Sequence, residues 1–236
     1  MRHLSRMTAP HWLALYAGLI AAWTGVWAIS TPVDWGHALR DLCLTAPEAA
    51  GLPGLAAMWL LMSAAMMLPT ALPAFATHDE VADAHGTGGG VALVAGYAAV
   101  WVGFALAAAA LQLALARAGG LAHPALAPAL LVLAAGYQVS TLKEACLSKC
   151  RRPLTFFMSH WAEGPWRMGL RLGATCLGCC WALMALGLIG GAMSLGFMAL
   201  ATLLMTAEKL SRGVLVPRAI ALGCLAGAGY LTGGIL

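Results

Sequence analysis

Charged residues are scarce in this chain of 236 amino acids, because Asp, Glu, Lys and Arg make up 9% of it. Soluble globular proteins contain roughly a quarter of such residues. Hydrophobic residues account for 61% of the chain, and its mean hydropathy is +0.84. The composition argues against a soluble fold and predicts one integral membrane domain over residues 1–236, built as an all-α bundle of about seven transmembrane helices.

Several patterns of known chemistry are also missing. No Ser-His-Asp arrangement, pair of catalytic carboxylates or His-x-x-x-His motif is evident, so hydrolysis has little support. The net charge of +4 comes from Lys and Arg beside apolar segments rather than on a polar surface, and no nucleic-acid partner is expected. The odd number of cysteines, 7, argues against a complete disulfide framework.

Seven apolar segments approach the length needed to cross a bilayer core, although the fourth and sixth are short. With a cytoplasmic N-terminus, eleven of the 13 Lys and Arg fall on the cytoplasmic side, the bias typical of inner-membrane proteins. The first segment is interpreted as a retained span rather than a cleaved signal peptide. Residues 31–53 are predicted to form an external loop and residues 77–90 a flexible cytoplasmic loop. The predicted spans are 12–30, 54–76, 91–116, 124–141, 170–190, 192–208 and 216–236.

Sulfur is concentrated in the fifth of these spans. Cys176, Cys180 and Met184 follow at four-residue intervals and Cys179 precedes Cys180, so a helix would present four sulfur atoms along one stripe. Each residue alone is more often a packing residue, but three cysteines within five positions are rare. Soft sulfur ligands select Cu(I), or zinc where thiolates dominate. The stripe is therefore the first candidate for a metal site.

The second span has a matching set of methionines. Met58, Met62 and Met66 repeat every four residues, and Met67 lies beside them. Two prolines follow and predict a kink that is buried or lines a cavity. Because the second and fifth spans run in opposite directions, these methionines and the cysteines are expected at similar depth, in the cytoplasmic half of the bilayer. The alternative is a methionine-rich packing face.

An amphipathic cytoplasmic loop is predicted over residues 142–168. Cys146 and Cys150 lie one helical turn apart there, and the basic residues around them predict a lowered thiol pKa. This pair would donate metal to the inner site or accept metal from it. The basic residues alone would also suit contact with anionic lipids.

The sixth span ends in Glu208 and Lys209 at the cytoplasmic face. A carboxylate at a helix end is predicted to pair with a neighbouring cation, here Lys209 or Arg212. Its position beneath the methionines of the same span would also suit a metal-entry group.

Several short motifs match a known pattern: Met58-Trp59, Ala65-Met66-Met67-x-Pro69, Gly136-Tyr137-Gln138, Leu142-Lys143-x-x-Cys146-Leu147-x-x-Cys150-Arg151-x-Pro153, Gly173-x-x-Cys176-x-Gly178-Cys179-Cys180-Trp181-x-Leu183-Met184, Met193 and Glu208-Lys209. Over residues 55–215 the chain resembles the predicted metal-binding integral membrane protein family, a bacterial family long described as a domain of unknown function. Ser194 departs from the Asn usual in that family. The resemblance implies a multi-pass protein of the bacterial inner membrane with a metal site.

The leading functional hypothesis is a membrane protein that binds Cu(I) and transports or delivers it through an intramembrane Cys/Met site, with zinc as the alternative metal. Besides the lipid bilayer, a metallochaperone or a subunit of a membrane complex is the expected partner. Two alternatives are a scaffold subunit, in which the sulfurs only pack, and a membrane thiol oxidoreductase; the leading hypothesis is not enzymatic. The predicted metal-site residues are Cys176, Cys179, Cys180, Met184, Met62, Met66, Met67, Cys146, Cys150, Met58 and Glu208.

Overall fold

The computed structural model describes residues 10–30, 47–190, 195–211 and 213–233, and within these ranges all regular structure is helical. This confirms the all-α class. Most of the predicted external loop, together with Met193 and Ser194, lies outside the described residues. The helices are α1 (Pro10–Ser30), α2 (Pro47–Ala84), α3 (Gly90–Arg117), α4 (Leu126–Gln138), α5 (Thr141–Cys150), α6 (Pro153–His160), α7 (Pro165–Ala185), α8 (Gly187–Gly190), α9 (Leu195–Leu210) and α10 (Leu215–Gly233), with 3-10 turns at Gly120–Ala122 and Trp161–Glu163.

Four stretches of the described chain are long and apolar enough to cross a bilayer: Ala50–Ala84, Gly90–Arg117, Pro165–Ile189 and Leu215–Gly233. Helices α4 and α5, bent by 64° relative to each other, pass the same test only when they are joined. By itself α5 is short and contains three charged residues. These lengths and compositions are consistent with a membrane location, while the count of seven spans and the cytoplasmic N-terminus stay predictions.

Helix α2 extends well beyond the predicted second span. Its backbone departs from helical angles at Gly51, with φ 64° and ψ −178°. From there it continues to Ala84 with helical angles through Pro69 and Pro73. The prediction of a flexible loop over residues 77–90 is therefore wrong for residues 77–84, which form the last turns of α2.

Asp79 and His78, in those last turns, contact residues of other helices, which helps to explain why the helix persists. Asp79 accepts a hydrogen bond from Trp12 Nε1 at 2.7 Å and lies 2.7 Å from His11 Nε2, so it joins α2 to α1. His78 is fully buried, and its ring packs edge-on against Phe157 of α6. The sequence alone could not reveal these contacts, because each joins segments far apart in the chain.

Helix α3 is the surface on which both candidate metal-binding helices pack. The backbones of α3 and α7 come very close, since a Cβ added to Gly169 would collide with the carbonyl oxygen of Leu93, and one added to Gly96 with that of Trp166. Small residues permit this approach, as is common between membrane helices. Helix α2 packs on another part of α3. It meets α7 through long side chains, and these include the sulfur-containing ones.

Helix α5 lies across α7 and reaches α9. The side chain of Ser140 caps its N-terminus by accepting a hydrogen bond from the backbone N–H of Lys143 at 3.1 Å, as capping residues do. Helix α5 ends at Cys150, and α6 begins at Pro153. Cys146 and Cys150 thus lie one turn apart on one helix, and the predicted helical spacing is confirmed. The packing of α5 places the two cysteines beside the sulfur stripe of α7.

Candidate metal centre

Three cysteine thiols form a compact buried cluster on one turn of α7. The Sγ atoms of Cys176, Cys179 and Cys180 all lie within 4.8 Å of one another. Each residue is 2% exposed. Both Cys179 and Cys180 direct their thiols toward the carbonyl oxygen of Cys176, at 3.0 Å in each case. The four-residue turn of the helix therefore collects the three sulfur atoms on one side, as the sequence spacing predicted.

Two further helices each add a sulfur atom to this cluster. Cys150 Sγ of α5 lies 3.9 Å from Cys179 Sγ, and Met67 Sδ of α2 lies 3.6 Å from Cys180 Sγ. With metal–sulfur bonds of about 2.3 Å, neighbouring ligands are about 3.8 Å apart in tetrahedral geometry and about 4.0 Å in trigonal geometry. The contacts between helices thus already have the spacing of ligands around one soft cation. Elsewhere in the described ranges no three Cys, His, Asp or Glu side chains converge closely enough for a metal ion.

A glycine lets α5 approach the cluster. A Cβ added to Gly178 would lie 2.7 Å from Cys146 Sγ, too close for an undisturbed contact. The hydroxyl of Tyr137 donates a hydrogen bond to the carbonyl oxygen of Gly178 and holds the end of α4 at the same place. Both Cys146 and Cys150 are half-buried. They are therefore the most accessible thiols of the sulfur cluster and its surroundings.

The predicted lowering of the thiol pKa on α5 is wrong. Burial raises the pKa of Cys146, as does the nearby charge of Cys179, and Lys149 only partly offsets these effects. Hydrogen bonding with Cys176 and Cys179, together with burial, raises the pKa of Cys150 well above its usual value. The basic neighbours in the sequence were the reason for the prediction, but removal of water and competition among thiols outweigh them.

Cys176 also contacts polar groups that lie on two other helices. Lys209 Nζ, from the last turn of α9, lies 3.2 Å from Cys176 Sγ and donates a hydrogen bond to Thr70 Oγ1 at 2.7 Å. The hydroxyl of Tyr97 on α3 is 3.4 Å from the same sulfur. Sequence reasoning considered Lys209 only as a partner for Glu208. The available signal was a lysine at the cytoplasmic end of an apolar helix, in the same half of the bilayer as the predicted cysteine site.

Glu208 has a different environment from its neighbour in sequence. Its carboxylate forms a buried ion pair with Lys143 at 2.8 Å and accepts a hydrogen bond from Gln138 Nε2 at 2.7 Å. Lys143 also donates to Gln138 Oε1, which closes the network. The pairing partner is thus Lys143 of α5 rather than Lys209, and Arg212 lies outside the described residues. The carboxylate oxygens are engaged by this network, and a role as a metal ligand stays a prediction.

The remaining predicted methionines are buried along the same interface. Met62 Sδ would lie 3.4 Å from a Cβ added to Gly187, just beyond the end of α7. Since Met67 faces Cys180 and Met62 faces Gly187, α2 and α7 run in opposite directions and thioethers extend along the interface between them. The other methionines of the predicted set are at most 5% exposed: Met58, Met66 and Met184.

Comparison with known protein families places the chain in a described family. The model of the family PpoB2, described as a copper chaperone, matches residues 56–231, more than half of the chain. This range contains every predicted metal-site residue. No curated protein and no solved structure matches the chain.

Proposed function

The chain belongs to the copper chaperone family, and from that premise we propose that it binds Cu(I) between α2, α5 and α7 within the membrane and delivers it to another site. The observation that supports this most directly is the convergence of five sulfur atoms from three helices. These sulfur atoms belong to Cys150, Cys176, Cys179, Cys180 and Met67.

The chemistry of these donors favours Cu(I) as the cargo. Thiolate and thioether ligands are soft and match Cu(I), whereas carboxylates and carbonyls suit Mg²⁺ and Ca²⁺. The thioether of Met67 adds a neutral ligand, so the coordination number rises without another charge buried among apolar helices. Zinc sites also use thiolates, together with imidazole and carboxylate ligands, so the thioether of Met67 is the donor that favours Cu(I) over zinc.

The arrangement also suggests a route for the ion. Cys146 and Cys150 are the half-buried thiols and would exchange Cu(I) with a partner at the surface of α5. Cys179 is in contact with Cys150 and belongs to the buried cluster, so it can pass the ion inward by ligand exchange. Beyond Met67, further buried thioethers offer weaker ligands along α2 and α7: Met66, Met62, Met58 and Met184. From Met67 to Met58 they extend over about 14 Å, given a rise of 1.5 Å per residue. Cu(I) keeps its charge throughout, and no redox step is needed.

The test is elemental analysis of detergent-purified protein from cells supplied with both copper and zinc. Wild-type protein should contain about one copper per chain, and the triple variant Cys176/Cys179/Cys180→Ser should lose it because the deprotonated thiols are the ligands. Cys224→Ser is a matched control, since Cys224 is a buried thiol on α10 outside the cluster. It should keep its copper.

Copper that persists in the triple variant would refute the site. Wild-type protein without copper would refute the function, and bound zinc in place of copper would replace the proposed cargo. If copper is found, transfer is tested by loading the protein in liposomes and following the appearance of Cu(I) on a chelator added outside. Loss of transfer with retained binding in Cys146/Cys150→Ser would support the route through α5.

A further inference from the structure

The ammonium group of Lys209 is in direct contact with the sulfur cluster. It contacts Cys176 Sγ at 3.2 Å and Thr70 Oγ1 at 2.7 Å. Within the described residues Lys209 forms no ion pair with a carboxylate, and the adjacent Glu208 is bound to Lys143 instead. Among the described residues, the thiol of Cys176 is thus the one group in hydrogen-bond contact with Lys209 that can become an anion.

A charge removed from water is costly unless an opposite charge lies beside it. The same holds for a metal–thiolate complex with a net charge among apolar helices. Cu(I) bound by one thiolate is neutral, and Cu(I) bound by two thiolates has a charge of −1. The ammonium of Lys209, in hydrogen-bond contact with the sulfur of Cys176, stabilises the complex with two thiolates. Beside the neutral complex with one thiolate, the charge of the ammonium would stay unbalanced.

We propose that Lys209 is the counter-ion of the metal centre and selects a complex with a net charge of −1. In such a complex the number of thiolate ligands exceeds the positive charge of the bound ion by one. This inference rests on the function proposed above. For Cu(I) it predicts two thiolate ligands, one of them Cys176, with the thioether of Met67 as a neutral third ligand. Two of the four thiols then stay protonated and are available for ligand exchange. Lys209 acts through Cys176 and is a specificity-determining residue, not a ligand.

The experiment compares Lys209→Met, which removes the charge and keeps the chain length, with Lys209→Arg, which keeps the charge. Cu(I) affinity is measured on the full-length protein in detergent by competition with a Cu(I) chelator. Groups that hydrogen-bond to metal ligands contribute about 10–100-fold in metal affinity, and we expect a loss of that size in Lys209→Met. Lys209→Arg should recover most of it. Lys149→Met removes one positive charge from the exposed side of α5 and should bind as wild type does.

Two further measurements separate charge from structure. Thermal unfolding should show that the neutral variant folds, and X-ray absorption should show that copper is still bound by sulfur in it. If Lys209→Met cannot be purified, Lys209→Gln is the second neutral variant and can still donate to Thr70. Wild-type affinity in a neutral variant, or an equal loss in the neutral variants and Lys209→Arg, would overturn the proposal. Either of these outcomes would leave the proposed copper binding of the wild-type protein intact. The absence of copper in the wild type would instead refute the proposed function itself.

Discussion

Two consecutive residues at the end of α9, Glu208 and Lys209, lie in opposite kinds of environment. Glu208 is 2% exposed and its carboxylate is bound by Lys143 and Gln138, so the network contains an acid, a base and an amide that satisfy one another. Lys209 reaches the other way, to a hydroxyl and a thiol. The first region is electrostatically complete within the protein. The second becomes complete only when thiolates form, and metal binding is what produces them.

Under the proposed function, Glu208 is a structural group and Lys209 is a functional one. A paired buried charge is common as a structural feature, and its removal leaves the partner uncompensated. Lys209, a half-buried cation beside a cluster of thiols, has no such internal balance. Helix α5 belongs to both regions, because Lys143 lies in the first and Cys150 contacts the second. Changes on α5 or on its neighbours can therefore test how independent the two regions are.

The largest expected effect comes from breaking the complete network. Glu208→Gln leaves the ammonium of Lys143 buried without an anion, and we expect a loss of about 3–5 kcal/mol in the free energy of unfolding. Thermal unfolding in detergent measures it. Copper per folded chain should be unchanged, because our proposal does not include Glu208 among the ligands.

The control is the double variant Lys143→Met/Glu208→Gln, which removes both charges. It should regain much of the lost stability, since no unpaired ion remains in the interior. Loss of copper from Glu208→Gln at unchanged stability would contradict our assignment of Glu208 to the ion-pair network. Glu208 would then belong to the metal site, as the sequence had suggested.

A smaller effect is expected where α5 and α7 touch. Gly178→Ala adds a Cβ that would lie 2.7 Å from Cys146 Sγ. Overpacking of this kind costs about 1–3 kcal/mol. The displaced α5 should also slow Cu(I) transfer from the chelator to the protein, which stopped-flow measurement of the loading rate would detect.

Two variants show whether the effect arises at that contact. Cys146→Ala in the Gly178→Ala background removes the obstructing sulfur and should restore stability. Gly136→Ala on α4 is the matched control, because its added Cβ has nothing within 4 Å. A stability loss in Gly178→Ala that Cys146→Ala does not relieve would indicate that the contact is not what limits the approach of α5.

The sequence predicted the elements better than their partners. Helical spacing was enough to place Cys176, Cys179 and Cys180 on one side of α7, because that arrangement is local. It could not pair Glu208 with Lys143, which is 65 residues away, or bring Lys209 to Cys176. The wrong prediction for the pKa of Cys146 has the same origin, since the basic neighbours are visible in the sequence but burial beside Cys179 depends on tertiary packing.

The smallest effect tests the neutral ligand of the sulfur site. Met67→Leu keeps the apolar volume and removes only the sulfur 3.6 Å from Cys180 Sγ. We expect Cu(I) affinity to fall by about tenfold, or about 1.4 kcal/mol, while a volume-conserving swap leaves unfolding little changed. Met168→Leu is the matched control, because Met168 is equally buried on α7 and is not among the proposed ligands. Equal affinity in both variants would mean that Met67 only packs, and the cysteines with Lys209 would then form the whole site. A selective loss in Met67→Leu, absent for zinc, would show that the thioether distinguishes the two metals.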